Sequence, residues 1–207
     1  MYLNVLTEAM RRGYADRALY LGDQDFNPSM PISKLISKSY ADKLGSSIGL
    51  FKASVSDSSK FSSAFLPPES RETTHLSVVD KEGNAVSLTF TLEGSYGYRM
   101  VVEGAGFLLN NEMGDFNPIP GNTNSAGLIG TQPNVVAPGK RMLSSMTPTI
   151  VAKDGKPVLI IGSPGGRTII NTVLQVVLNI LDHNMNIGEA IEAPRIHHQW
   201  LPDTTSF

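Results

Sequence analysis

The chain has 207 residues, 41% hydrophobic and 17% charged, an ordinary globular composition with enough length to bury a core in one or two domains. Its 17 basic and 19 acidic residues leave a net charge of −2, no footprint for nucleic acid, and no run approaches the ~18 apolar residues of a membrane span. The absence of cysteine excludes disulfides, thiolate metal sites and a cysteine nucleophile, leaving hydroxyls, carboxylates and four histidines to carry any chemistry.

Leu3, Leu6, Met10, Tyr14 and Leu19 form a rough helical stripe over 3–19. The arginines follow the apolar residues, the reverse of a secretory signal. The chain opens inside this helical pattern without a cap and stops shortly after Trp200-Leu201-Pro202, so a piece of a larger protein is expected. Residues 21–32 are turn-rich, and 36–44 fit a helix closed by Gly45. Over 46–70, nine serines and two prolines without periodicity read as an exposed, mobile linker.

Beyond the linker, two alternating runs flank a Gly83-Asn84 turn, a β-hairpin signature. With 80–84 as the loop, Val78 faces Val86, Leu76 faces Leu88 and Thr74 faces Phe90 on one side. The other side pairs Ser77 with Ser87, His75 with Thr89, and Thr73 with Thr91. A slip of one residue would set apolar against polar at every pair. Thr73 and Thr91 are therefore expected to be neighbours at the open end of the hairpin.

Residues 106–113 read as a strand or buried run, and 117–134 as a long Gly/Pro/Asn loop of the kind that forms lids. Residues 149–152 and 157–161 bracket Lys153-Asp154-Gly155-Lys156, a second hairpin. After Gly162-Ser163-Pro164-Gly165-Gly166, residues 167–184 form an apolar helix and 187–193 a short one before Pro194.

Taken singly, the polar clusters have plain alternatives. The five residues 162–166 suit an anion or oxyanion site between strand and helix, or merely a tight turn. Ser144-Ser145 and the Asn110, Asn111, Glu112, Asp115 group read equally as turns. His197 and His198 point to opposite faces and lack a third ligand, so they are structural rather than a metal site. His75 reads as packing.

The order of these elements is far more specific than any one of them. TTHLSVVD, LLNNEM, LSSMTPT and GSPGG, followed by EAPRIHHQWLPD, together resemble the γ-glutamyltranspeptidase family, and 14–26 resembles that family's upstream subunit. The resemblance implies an α+β fold, the N-terminal-nucleophile hydrolase αββα sandwich, here partial. It also implies a proenzyme that cuts itself between Glu72 and Thr73. Residues 1–72 would be the end of the large subunit, and 73–207 most of the small catalytic subunit. Thr73 would be the nucleophile and Thr91 its hydroxyl partner, with the backbone of Gly165 and Gly166 as oxyanion hole. Ser144 and Ser145 would hold the α-carboxylate of a γ-glutamyl group, and Glu93, Glu112 and Asp115 its α-ammonium.

The substrates so implied are glutathione and related γ-glutamyl compounds, with water, amino acids or peptides as acceptors and no cofactor or metal. The rest of the large subunit would be a partner, supplying an arginine to the substrate carboxylate, so this chain alone is expected to turn over poorly. The family implies a periplasmic or extracellular setting. Two departures stand out: the position of Glu93 is asparagine in many members, and Ala126, in the lid over 120–131, replaces a tyrosine of some relatives. The rival readings are an acylase of the same superfamily, acting on glutaryl-cephalosporins or poly-γ-glutamate, and an inactive fragment serving only as an interaction domain.

Overall fold

The structure, a computed structural model, describes residues 1–57, 72–117 and 131–207, with the backbone pairing of 62–63 and 122–123. The expected lid residue Ala126 and most of the serine-rich stretch after residue 57 lie outside the described residues. The helices are α1 (Tyr2–Tyr20), α2 (Ile32–Leu35), α3 (Lys38–Ser46), α4 (Thr168–Leu181) and α5 (Ile187–Glu192). The strands are β1 (Ser62–Ser63), β2 (Glu72–Val79), β3 (Ala85–Glu93), β4 (Asn122–Thr123), β5 (Thr149–Lys153) and β6 (Lys156–Ile161). They form two compact units, each assembled from separate stretches of the chain. One comprises Met1–Pro68, Asp115–Leu143 and Ile196–Phe207; the other comprises Glu69–Gly114 and Ser144–Arg195.

In the first unit, α1 buries a face different from the predicted stripe. Leu6, Met10 and Tyr14 are inside, but Leu3 and Leu19 are exposed, and Glu8 and Arg11 take their place in the interior. A buried charge is tolerable only when paired and hydrogen-bonded. Arg11 donates to Glu8 at 3.2 Å and also binds Ser56 and Asp203. Arg12 and the Ser54 N–H and hydroxyl complete the shell of Glu8. The Ser56 N–H donates to Asp203 at 2.9 Å, and His198 Nε2 bonds the same carboxylate at 3.2 Å. This network fastens α1, the segment entering the serine-rich stretch, and the C-terminal segment together. Helix α3 begins at Lys38, two residues later than predicted, because Ser37 caps it, accepting the Tyr40 N–H.

The network makes the unit acid-sensitive. Burial alone would raise the Glu8 carboxyl, but bonds from Ser54 and Arg12 and the charge of Arg11 hold it at about 2. Asp203 is likewise held at about 2, against burial, by Ser56, Arg11 and His198. Burial, then the Arg11 charge, pushes His198 down. Carboxyls depressed on folding stabilise above their unfolded value of ~4 and lose that contribution as pH falls through the folded one. A depressed imidazole makes folding less favourable as pH falls through its unfolded value of ~6.5. The unfolding temperature should therefore drop in two stages, below pH ~6.5 and again below ~4. Asp203→Asn should blunt the second stage in a pH series of melting curves. A midpoint constant from neutrality to strong acid would contradict the account.

In the second unit the hairpin register is the one read from sequence: Thr73 opposes Thr91, His75 Thr89, Leu76 Leu88, Ser77 Ser87 and Val78 Val86. Its polar face turns toward β6. The Ser77 and Ser87 hydroxyls donate to the carbonyls of Ile160 and Ile161 at 3.2 and 3.0 Å. His75 lies so close to Gly162 that a Cβ there would fall 2.2 Å from the ring. The apolar face, with Leu76, Val78, Val86, Leu88 and Phe90, is about half exposed. β5 and β6 form the second predicted hairpin, and Ile161 packs with Ile169, Val173 and Val176 of α4 and Ala190 of α5. A helix layer on one sheet, with a second sheet beside it, makes the unit α+β as expected. α5 starts at a capping box of Asn186 and Glu189.

Candidate active site

In the second unit, Thr73 opens the ladder of β2 opposite Thr91, and Glu93 closes β3. The ladder is regular from Thr73 to Val79, but between Glu72 and Thr73 the register shifts, so Glu72 opposes Glu93 and Leu92 is extra. A bulge of this kind bends the strand and re-aims the residues beside it. The Thr91 hydroxyl donates to the Glu72 carbonyl oxygen at 2.7 Å and accepts the Glu93 N–H at 2.9 Å. It thus touches the oxygen of the peptide bond that precedes Thr73.

Glu93 has φ of 69°, a left-handed conformation that asparagine adopts more readily than glutamate. The bend lays the Glu93 carboxylate over Gly114, where a Cβ would meet Oε1 at 2.2 Å. Asn111 fixes the same corner, its Oδ1 accepting from the Gly94 N–H and its N–H donating to the Leu92 carbonyl. The Glu112 N–H donates to Asn110 Oδ1, at the start of the 3-10 turn Glu112–Asp115. Glu93 Oε2 and Glu112 Oε1 are both shielded from solvent. Asn110 and Asn111 are therefore scaffold for the acids, a role their side chains alone did not disclose.

Ser144 Oγ accepts the Met146 N–H at 3.0 Å, and buried Ser145 offers its carbonyl to Thr147 Oγ1. Gly165 and Gly166 have φ of 130° and 57°, conformations that side chains resist. Their carbonyls accept the first amides of the α4 turn, from Thr168 and Ile169. His75 bonds Thr89 through Nδ1 and Ser77 through Nε2, and burial pushes its pKa down, in keeping with a packing role. In the first unit, His197 stacks edge-on against Tyr14, and His198 accepts the Trp200 N–H, so both are structural. Among the described residues no group of three or more acidic or histidine side chains could hold a metal ion, and no helix could cross a membrane.

Residues 1–207 match the family model described as Gamma-glutamyltranspeptidase. The chain is 50% identical over 201 residues to the Glutathione hydrolase proenzyme of Escherichia coli K12, a match covering 97% of this chain and 34% of that protein. A crystal structure of a Helicobacter pylori γ-glutamyltranspeptidase mutant superposes with a TM-score of 0.60 at 58% identity, covering 64% of this chain and 71% of that one. A cephalosporin acylase from Bacillus halodurans superposes with a TM-score of 0.70 at 25% identity, covering 93% of this chain and 32% of that one. The chain thus spans about a third of the length of the curated relatives it matches. With its fold matched by these hydrolases and its whole length by the family model, the chain belongs to the γ-glutamyltranspeptidase family.

Proposed function

We propose that this chain carries the nucleophile of a γ-glutamyl transferase and hydrolase, with Thr73 freed by cleavage after Glu72. The observation that carries the proposal is the Thr91 hydroxyl bound to the Glu72 carbonyl oxygen, at a bulge directly beside Thr73. In the uncut chain Thr73 Oγ attacks the Glu72 carbonyl carbon. The carbonyl becomes an oxyanion, which the Thr91 O–H stabilises. The Oγ proton passes to the amide nitrogen as the C–N bond breaks, which shifts the acyl group from nitrogen to oxygen, and water then hydrolyses the ester. The products are a Glu72 carboxylate and a free Thr73 amine.

That amine, with an ordinary pKa of roughly 7.7–8.0, is the base the hydroxyl needs. Thr73 Oγ attacks the γ-carbonyl carbon of a γ-glutamyl amide such as glutathione, and its proton passes to the α-amine and then to the leaving amine. The backbone N–H groups of Gly165 and Gly166 stabilise the oxyanion. Water or a second amine then releases the acyl group. Ser144 and Ser145 receive the α-carboxylate, and Glu93, Glu112 and Asp115 gather at the α-ammonium, where a bound cation relieves their mutual repulsion. Neither role calls for a metal or cofactor. The remaining length of the full proenzyme is the implied partner.

The acids decide between γ-glutamyl transfer and acylase chemistry, since a glutaryl group lacks the ammonium. In a background completed to the relatives' length, Asp115→Ala should raise KM for a γ-glutamyl anilide by about 10- to 150-fold, the worth of a charged hydrogen bond. The glutaryl anilide should be nearly unaffected. Equal losses on both would assign Asp115 to the fold.

A further inference from the structure

Asn134 was not among the residues picked out by sequence, yet its side chain is only 4% exposed and both ends of its carboxamide are bonded to main chain. Nδ2 donates to the Asp115 carbonyl at 2.7 Å, and Oδ1 accepts the Leu143 N–H at 3.0 Å. We infer that Asn134 is a positioning residue for the γ-glutamyl donor, fixing through one amide the backbone of Asp115 and the residue preceding Ser144. The inference rests on the substrate roles proposed for Asp115 and Ser144.

Its surroundings suit a fixed fulcrum. The Asn134 carbonyl accepts the Asn117 N–H at 2.9 Å, and Asn117 Nδ2 donates to the Thr131 carbonyl at 3.1 Å. Asn27 Nδ2 holds the Pro133 carbonyl at 3.0 Å, and Gly22 packs so tightly there that a Cβ would fall 2.1 Å from the Pro133 oxygen. Arg141, two residues before Leu143, donates backbone and guanidinium N–H groups to Asp23 at 2.8, 3.0 and 2.6 Å. The bonds from Arg141 hold the Asp23 carboxyl well below the usual carboxylate range. The substrate's ammonium and carboxylate sit on one α-carbon, so their receptors tolerate little relative movement. A carboxamide bonded to both backbones limits that movement, and a half-buried backbone amide or carbonyl without it would lose its partner.

The two bonds can be cut separately. Asn134→Asp keeps an acceptor for the Leu143 N–H but sets a carboxylate oxygen against the Asp115 carbonyl. Asn134→Ala removes both bonds. In a background completed to the relatives' length, Asn134→Asp should raise KM for the γ-glutamyl anilide about 10- to 100-fold with kcat within about threefold, and leave the glutaryl anilide nearly unchanged. Asn134→Ala should raise KM for both. Cleavage after Glu72 should go to completion in each, since Thr73 and Thr91 are untouched. If Asn134→Asp does not accumulate folded, Asn134→Ser, which shortens the reach to Asp115, serves for it. Equal KM changes for the two substrates in Asn134→Asp, or a fall in kcat that tracks the loss of melting temperature, would overturn the inference. Asp115→Ala is run beside them. If it discriminates between the substrates and Asn134→Asp does not, the positioning role alone fails; if it does not discriminate, the assignment of Asp115 fails and the inference with it.

Discussion

Thr73→Ala is expected to remain a single uncut polypeptide under conditions where the parent separates residues 1–72 from 73–207. Alanine occupies the same place in β2, opposite Thr91, and leaves the bulge and the Thr91–Glu72 bond in place. Only the attacking oxygen is lost, so the effect is all or none rather than graded. Intact mass and N-terminal sequencing read it directly: the parent yields a fragment beginning Thr73-Thr74-His75, and the variant does not. Cleavage at Glu72 that persisted in Thr73→Ala would remove this hydroxyl from the processing step.

Thr91→Val should slow the same cleavage by about 10²–10³, the usual cost of removing one oxyanion donor. Valine keeps the shape and β preference of threonine, so the hairpin is retained. It cannot donate to the Glu72 carbonyl oxygen, which now lies 2.7 Å from the Thr91 hydroxyl. Nor can it accept the Glu93 N–H, so the left-handed corner that carries the Glu93 carboxylate loosens as well. Thr91→Ser should retain most of the rate. A time course of cleavage on denaturing gels separates the three; a valine variant as fast as the parent would show that the bond to Glu72 is incidental.

The register of the hairpin was legible because side chains alternate with period two, so each residue constrains its partner. Alternation says nothing about which face goes inside. Here the polar face turns to β6, because Ser77 and Ser87 can satisfy its Ile160 and Ile161 carbonyls. The apolar stripe of α1 misled for a related reason. Glu8 and Arg11 are buried through partners up to 192 positions away, and no local pattern announces them. The motif residues Glu112, Ser144 and Gly165 stood out from order and resemblance, as candidates. Asn134 did not, since a lone asparagine in a Gly/Pro/Asn-rich stretch looks like any turn residue until its two backbone partners are seen.

The central claim is that Thr73 Oγ carries the γ-glutamyl group. Its most direct test is to quench the completed, processed protein during turnover of a γ-glutamyl anilide and map the adduct by peptide mass spectrometry. The account predicts one γ-glutamyl group in ester linkage on the peptide that begins at Thr73, absent without substrate and discharged by hydroxylamine. An adduct on any other residue, or turnover at an undiminished rate in a processed protein whose N-terminal threonine is blocked, would contradict it.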